Sequence, residues 1–435
     1  MSSSTRRSTR LGRWAGAAAG QWHGVVAPGI VLWCLAAALT GVALHAPDVV
    51  EYQRYAHAAL ALPFLHRLPA EYPAPALVVF MAPLLLPVAY PWAFAAVVGV
   101  VLLVLLVSYG TSGVQGMDVA GARRLLVYLA TGALVVLTAR FDLFAAAAAF
   151  WSVRAARQGR YSAAWTWSAI GFVLKLFPAV LWPVLLIGEW RRSGRIPVRR
   201  VAWVLGAFVV VAAVPALFDP GAVTTVAAYY LHRPTEIGGL AAGASVLGDW
   251  HGFHFGYSFH SVNVTAPLGS AVSVLLQVAG AAGCLAVWWA YARRRLPMEA
   301  ACLLTLTLVV LCSKVLSTQY LIWLMPFWAL YRIRWSWVAA CVVNVASYVP
   351  SIAIMDFSLM STHGYVATMA LMNLARDLLI VVGTASWLYR LVRPSVHPAE
   401  RVAPVPELAT RSTTAVSSAE RMVANVAGSF PPTEP

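Results

Sequence analysis

Runs of apolar residues about 20 long recur along this chain, and short polar segments rich in arginine separate them. A run of that length crosses the hydrocarbon of a bilayer as an α-helix. Because backbone groups in lipid must bond within their own segment, the pattern predicts an all-α, polytopic bundle of transmembrane helices. The predicted crossings lie near 25–45, 75–110, 124–138, 142–154, 162–176, 178–190, 201–218, 266–290, 299–313, 318–331, 336–352 and 366–390.

The stretch 75–110 is long enough for two helices, with a break around Pro87 and Pro91 or a re-entrant element. One net crossing keeps both termini on the cytoplasmic side and gives about twelve spans. The expected domains are a basic cytoplasmic segment over 1–24, a transmembrane domain over 25–393, and a disordered cytoplasmic tail over 394–435 that is rich in Pro, Ser and Thr.

Composition agrees with a membrane protein, since the chain is 60% hydrophobic and only 11% charged. Its net charge of +15 does not indicate a nucleic-acid partner, because the arginines concentrate in short loops, as the positive-inside rule requires. These loops orient the bundle in the cell membrane. The arginine clusters that mark its cytoplasmic side lie at 154–160, 191–200, 293–295, 332–334 and 390–393.

With this orientation, most polar residues capable of chemistry fall on the extracytoplasmic side. They lie in 48–73, 140–142, 175–178, 219–267, 313–320 and 356–365. Such asymmetry favours a reaction at the outer face. A lipid or polyprenyl-phosphate transporter is the alternative, but transporters typically carry polar residues at mid-membrane and related halves.

Acidic residues are scarce, 16 in 435, yet Asp48 and Glu51 lie together just after the first span. On a helix, Asp48, Tyr52 and Tyr55 share one face. A carboxylate there can remove the proton of an acceptor hydroxyl, so Asp48 and Glu51 are candidate catalytic residues and both tyrosines are candidate substrate contacts. The alternative is that Asp48 caps the helix and Glu51 pairs with Arg54.

Arg140, Asp142, Lys175 and Lys314 lie at the outer ends of predicted spans. An ionisable residue at membrane depth costs about 2.5–3.5 kcal/mol, so it usually has a partner or a task. The cations are candidates for binding the phosphate of a lipid-linked sugar. The alternative is a local Arg140–Asp142 pair with lysines that extend to the headgroups.

The segment 219–267 is the longest extracytoplasmic loop in this topology. His232, Arg233 and Glu236 are close in sequence and chemically mixed, so they are candidates for binding a sugar or a lipid headgroup. His251 and His254 have a spacing compatible with a metal, but no third ligand is evident and no metal site is predicted.

Five motifs carry a family resemblance that extends over about 25–390. They are Asp48 with Tyr52; Glu71-Tyr72-Pro73-Ala74-Pro75; Arg140-Phe141-Asp142; Gly171 with Lys175 and Pro178; and Ser313-Lys314-Val315-Leu316-Ser317-Thr318-Gln319-Tyr320. This set resembles the GT-C superfamily of membrane glycosyltransferases, especially the actinobacterial α-mannosyltransferases that use polyprenyl-phosphate mannose.

The resemblance implies a hexosyltransferase whose donor is a polyprenyl-phosphate sugar and whose acceptor is a cell-envelope glycan or glycolipid. Asp48 would be the general base, and Tyr72, Gln319 and Tyr320 would contact substrate. An arabinofuranosyltransferase that uses decaprenyl-phospho-arabinose is the alternative within this class. The second acid of a DxD pair is absent at Val50, so no cofactor is implied with certainty and a divalent metal stays possible.

Overall fold

The structure is a computed structural model that describes residues 24–39, 47–61, 69, 71–110, 117–218, 220–259, 261–266, 269–353 and 362–393. The predicted N-terminal segment, except for Gly24, and the predicted tail 394–435 lie outside the described residues. So does most of the predicted outer segment 356–365.

The described residues are mainly helical. The α-helices are α1 Gly24–Leu39, α2 Pro47–Leu60, α3 Leu77–Met81, α4 Tyr90–Gly110, α5 Val119–Gly132, α6 Asp142–Arg157, α7 Tyr161–Leu174, α8 Trp182–Ser193, α9 Val198–Phe218, α10 Ala222–His232, α11 Leu240–Gly248, α12 Gly269–Ala292, α13 Met298–Cys312, α14 Leu321–Trp328, α15 Trp335–Ala353 and α16 His363–Val392. Short 3-10 helices cover Ala74–Ala76, Ala82–Leu85, Phe177–Leu181 and Thr318–Tyr320.

Four of the described helices, α4, α9, α12 and α16, are long and apolar enough to cross a membrane. Shorter apolar helices cover Gly24–Leu39, Ala74–Leu85 and Met298–Cys312. The prediction of a mainly helical membrane protein is therefore confirmed at this level, whereas the number of twelve spans stays a prediction.

The ambiguous stretch 75–110 contains two helical parts with a break between them. The first part, Ala74–Leu85, alternates 3-10 and α geometry. It is about 18 Å long, which is too short for a hydrocarbon core of about 30 Å. The chain becomes extended at Leu86, just before Pro87, and helix resumes at Tyr90 as α4. Only the second part has the length of a crossing.

The predicted outer loop 219–267 folds into regular structure rather than remaining a loop. It contains α10, α11 and an antiparallel sheet in the order β1-β3-β2. The strands are β1 Thr235–Glu236, β2 His254–Ser258 and β3 Ser261–Thr265. In the register, Asn263 lies opposite both Glu236 and Gly256. A core that includes Phe253, Val264 and Val366 joins this sheet to the start of α16.

The hairpin of α6 and α7 determines which residues meet at its open end. Five successive alanines, 145–149, are buried on α6 and allow α7 to approach closely. A Cβ at Gly171 would lie 3.2 Å from the Cβ of Ala148 and 3.0 Å from the ring of Pro178. Because α6 begins at Asp142 and α7 ends at Leu174, this close packing brings Lys175 next to Asp142.

Candidate functional site

Asp48 lies in the first turn of α2, where its negative charge interacts favourably with the positive end of the helix dipole. It forms an ion pair with Arg140, which lies just before α6 and 92 residues away in sequence. The Asp48 side chain is 24% exposed and that of Arg140 is 15% exposed. Instead of the local Arg140–Asp142 pair considered from the sequence, Arg140 thus forms a long-range pair that is still partly exposed.

Asp142 is almost fully buried and holds two donors on one oxygen. Its Oδ1 accepts hydrogen bonds from Lys175 Nζ at 2.7 Å and from the Trp323 indole at 2.6 Å. Its Oδ2 has no hydrogen-bond partner among the described residues. Lys175 therefore points into the protein toward this carboxylate and does not extend to the headgroups.

Aromatic rings surround the Lys175 ammonium group. Its Nζ lies 4.9 Å from the ring centre of Phe141 and 5.4 Å from those of Tyr320 and Trp323. Trp323 also stacks on Tyr320, with the ring centres 4.1 Å apart. A cation over aromatic faces is stabilised by the ring quadrupoles. The rings and the Asp142 carboxylate thus both favour the charged form of Lys175 in a site that is largely shielded from water.

A second aromatic group lines the Asp48 side of the site. Tyr52 stacks on Phe80 with the ring centres 4.4 Å apart and meets Tyr72 at 5.9 Å and Phe141 at 5.8 Å. Tyr55 also reaches Tyr72, at 6.4 Å. The tyrosines predicted from the sequence therefore lie together, on the side of the site formed by α2 and the segment before α3.

The outer sheet contributes a third acid–base pair. Arg233 lies 3.6 Å from Glu236, whose side chain is buried. The charges of Arg140 and Arg376 both act on Glu236, and those of Asp48, Glu71 and Arg140 act on Tyr257 of β2. The sheet therefore lies within electrostatic reach of the Asp48–Arg140 pair. We call Asp48, Arg140, Asp142, Lys175, Arg233 and Glu236 the acid–base cluster.

Burial changes the acidity of two carboxyl groups in this cluster. It raises the pKa of Asp48 above its usual value, and the Arg140 charge offsets part of that rise. It also raises the pKa of Glu236, against the opposing charge of Arg233. A carboxylate with a raised pKa is a stronger base than an ordinary one, which suits proton removal from a hydroxyl group.

Other candidate residues lie at the edge of the cluster or apart from it. Glu51 pairs with Arg54, as the alternative reading of the sequence had it. His232 is at the exposed end of α10, where its ring meets the carbonyl of Ala228. Lys314 Nζ donates to the carbonyl of Leu231 at 3.0 Å.

Gln319 and Tyr320 lie on the 3-10 helix that enters α14. Gln319 is buried and accepts a hydrogen bond from Ser317 at 2.6 Å. Tyr320 faces Lys175. This short element therefore connects two of the predicted substrate residues to the cluster.

Within the part of the chain that the structure describes, no three His, Cys, Asp or Glu side chains come together as a metal site would require. His254 begins β2 and is exposed, and His251 is in the preceding turn. The Asp48 carboxylate is paired with a cation that the protein itself supplies, the Arg140 guanidinium group.

No known protein family, curated protein or solved structure matches this chain. The function is therefore inferred from the chemistry of the acid–base cluster and its aromatic surroundings.

Sequence reasoning missed several residues that build this region. Trp323 and Phe80 lie inside apolar runs and give no separate signal. Arg376 and Asp377 did give one, because two adjacent charges interrupt the apolar run of α16. Both are fully buried, and they pair with each other at 2.8 Å.

Arg376 ties together the elements that carry the cluster. It donates to the Asn344 side chain at 3.0 Å and to the carbonyl of Gly238 at 2.5 Å. Asn344 in turn donates to the carbonyls of Gly132 and Thr318, both at 3.1 Å. The network thus connects α16 and α15 to the end of α5, to the turn after Glu236 and to the segment before Gln319.

Proposed function

We propose that this chain is a polyprenyl-phosphate-sugar-dependent glycosyltransferase. It transfers a mannosyl residue to a cell-envelope glycan or glycolipid at the outer face of the cytoplasmic membrane. The observation that carries the proposal is the partly exposed Asp48 carboxylate, which pairs with Arg140 and lies in one site with the largely buried pair of Lys175 and Asp142 and with several aromatic rings. The GT-C-like topology with about twelve spans belongs to the same proposal.

Asp48 acts as the general base. It takes the proton of the acceptor hydroxyl as that oxygen attacks the anomeric carbon of the donor sugar. The bond between that carbon and the phosphate oxygen breaks in the same displacement, so the anomeric configuration inverts. The raised pKa of Asp48 supports this role, since the group must be ionised before the reaction and hold a proton after it.

Arg140 and Lys175 stabilise the departing lipid phosphate. Both are largely shielded from water, where charge-assisted hydrogen bonds to phosphate oxygens are strong. Arg140 Nε is buried and has no hydrogen-bond partner among the described residues, so the guanidinium group is not saturated by the protein. Asp48 and Asp142 keep the two cations in place until the phosphate arrives.

The aromatic rings supply a surface for the sugar and the first isoprene units. Tyr72 contacts Phe141, and Phe141 and Tyr320 both lie next to the Lys175 ammonium group. Each tyrosine is an amphipathic ring suited to a substrate that is part sugar and part lipid. Glu236 and Tyr257 come from the outer sheet, which is where a glycan acceptor would approach.

The direct test is transfer by the purified protein in nanodiscs. Radiolabelled polyprenyl-phosphate mannose and decaprenyl-phospho-arabinose are supplied in parallel, with extracted envelope glycolipids as acceptors, and products are identified by mass spectrometry. Mannose transfer supports the proposal, and arabinose transfer supports the alternative within the class. If neither donor is consumed while the protein remains folded, the glycosyltransferase proposal is wrong.

A lipid transporter is the second candidate, favoured by the charged pair Arg376–Asp377 near the middle of α16. Charges at that depth often mark a transport pathway. Here the guanidinium group is committed to Asp377, Asn344 and Gly238. Such saturation favours a structural role. Uptake of a fluorescent polyprenyl phosphate into proteoliposomes, without sugar transfer, would favour the transporter instead.

The two lysines should differ in their effect on donor binding. The charge-neutral variant Lys175→Gln/Asp142→Asn removes a phosphate contact without leaving a buried charge unpaired. We expect the donor KM to rise roughly ten- to hundredfold, because one charge-assisted hydrogen bond contributes about 1.5–3 kcal/mol. Lys314→Gln should change it by about twofold or less, since that amine is at the surface.

Initial rates over a series of donor concentrations, with the acceptor held at saturation, measure both KM values. An equal or larger effect at Lys314 would show that Lys314 and not Lys175 meets the phosphate.

Orientation in the membrane can be tested with reporter fusions. The arginine pattern predicts that reporters after Tyr72 or His254 read extracytoplasmic, and that reporters after Arg195 or Pro435 read cytoplasmic. Paired phosphatase and fluorescent-protein fusions make this measurement. A cytoplasmic reading at His254 would place the outer sheet on the wrong side for a lipid-linked donor and would overturn the outer-face assignment.

A further inference from the structure

An apolar groove runs along the surface between α7 and α9, away from the acid–base cluster. It encloses about 630 Å³. It is lined by the small residues Ala169, Gly206 and Ala207 and by larger ones that include Ile170 and Val210. Only 11% of the apolar part of α9 is buried, so the groove opens toward the surroundings of the bundle.

One end of this groove continues into two polar hollows. The first encloses about 560 Å³ and shares Arg199 and Trp203 with the groove. The second encloses about 420 Å³, includes Arg192, and shares Ser162 and Arg200 with the first. The three spaces are therefore contiguous, with an apolar channel that leads to a cationic end.

The charges at that end are not balanced. Arg200 donates hydrogen bonds to the Glu189 carboxylate at 3.4 Å and to the Ser162 hydroxyl at 2.7 Å. Arg199 is exposed and makes no ion pair with a described residue, and the guanidinium of Arg192 lies over Gly159. One carboxylate, that of Glu189, thus faces four arginines, Arg160, Arg192, Arg199 and Arg200. The excess positive charge favours an anionic ligand.

We propose that this site binds an anionic phospholipid, with its phosphate at Arg192 and Arg199 and one acyl chain in the groove. Basic pockets beside transmembrane helices bind such headgroups. Trp203 lies where apolar groove and polar hollow meet, which is the position that tryptophan favours at a membrane interface. From Arg199 to Val210 the groove is about 16 Å long, enough for much of an acyl chain.

The end of the groove at which the positive charge lies distinguishes this phospholipid from the proposed sugar donor. A donor chain in the groove would place its phosphate near Val173, beside Lys175 at the end of α7. The Lys175 ammonium instead points to Asp142. The unbalanced cations lie at the opposite end of the groove, so the phospholipid site is separate from the site of the proposed transfer reaction.

A single substitution can block the groove. A Cβ at Gly206 would meet no heavy atom of the protein within 4 Å, so Gly206→Phe fills the groove without a clash at its base. Val209→Phe is the matched control, because Val209 is 61% exposed on the same helix and does not line the groove. For the charges, Arg192→Gln/Arg199→Gln is compared with Arg293→Gln/Arg295→Gln, two exposed arginines on another loop.

Native mass spectrometry of the detergent-solubilised protein measures binding of added dioleoyl-phosphatidylglycerol and dioleoyl-phosphatidylcholine. We expect the wild type to bind one phosphatidylglycerol roughly tenfold more tightly than phosphatidylcholine. Arg192→Gln/Arg199→Gln should remove this preference, and Gly206→Phe should lower the affinity for both lipids. Val209→Phe and Arg293→Gln/Arg295→Gln should behave as the wild type.

The proposal is overturned if the two lipids bind alike to the wild type, or if both arginine variants lose the preference equally. It is also overturned if Gly206→Phe binds as well as Val209→Phe, which decides the matter even where the arginine variant does not fold. Added undecaprenyl phosphate gives a further outcome. If it displaces phosphatidylglycerol at equal concentration, the site belongs to an isoprenoid phosphate and the phospholipid assignment is wrong.

Discussion

Asp48→Asn is expected to lower the rate of sugar transfer by about 100-fold to 10,000-fold, the usual contribution of a general base. The substitution keeps the size of the side chain and leaves an oxygen that can accept from Arg140, so the protein should still fold. Only the ability to take a proton is lost. Initial rates at saturating donor and acceptor, with purified protein in nanodiscs, measure the effect.

Asp249→Asn is the matched control for this variant. Asp249 is also in the outer segment, and its side chain accepts from the backbone of Gly252, which asparagine can do as well. The control should transfer at the wild-type rate. Asp48→Asn protein that transfers as fast as the control would show that Asp48 is not the base.

The same assignment predicts the acid side of the pH–rate profile. Transfer requires ionised Asp48, so the wild-type rate falls as the pH drops through the pKa of this group. Since burial raises that pKa above its usual value of 3.8, the acid limb should lie above 3.8. A rate that is constant down to pH 4 would contradict both the shift and the role.

Arg376→Met is expected to cost about 3–5 kcal/mol of stability, the largest structural effect that we predict. It leaves the buried Asp377 carboxylate without its partner, and it removes donors from Asn344 and from the carbonyl of Gly238. Thermal unfolding of the detergent-solubilised protein, followed by tryptophan fluorescence, measures the loss.

Arg376→Gln/Asp377→Asn separates charge from packing. Removing both charges should recover part of the loss, because an unpaired buried charge is more costly than a neutral polar pair. Arg390→Gln near the exposed end of the same helix is the control and should unfold as the wild type does. Unchanged unfolding of Arg376→Met would show that the network does not hold these elements together.

Local features of the sequence were sufficient for the class of fold and for the break in 75–110. Apolar runs identify helices for lipid because their length and hydropathy are properties of a continuous segment. Pro87 lacks a backbone donor and restricts Leu86 before it, so the end of helix there is also a local effect. The scarcity of acids and the few charges at the ends of spans were enough to select Asp48, Arg140, Asp142 and Lys175 as candidates.

The pairing of these charges was decided by the tertiary structure alone. The sequence suggested only the nearby Asp142 as a partner for Arg140, and that local pair is not the one that forms. Alanines and Gly171 allow α6 to pack closely against α7, and this packing places Asp142 next to Lys175. Arg140 pairs with Asp48 instead.

The outer sheet and the Arg376 network likewise depend on contacts between distant segments. The strands of 235–265 are short, and the two-residue β1 pairs with β3 some 30 residues later. No local alternation of apolar and polar residues therefore predicts these strands. Arg376 reaches Gly238, 138 residues away. Sequence by itself determined that the chain is mainly helical and which residues carry charge. The folded chain decided which charges meet, because a buried ion pair depends on positions that only the packing of several helices sets.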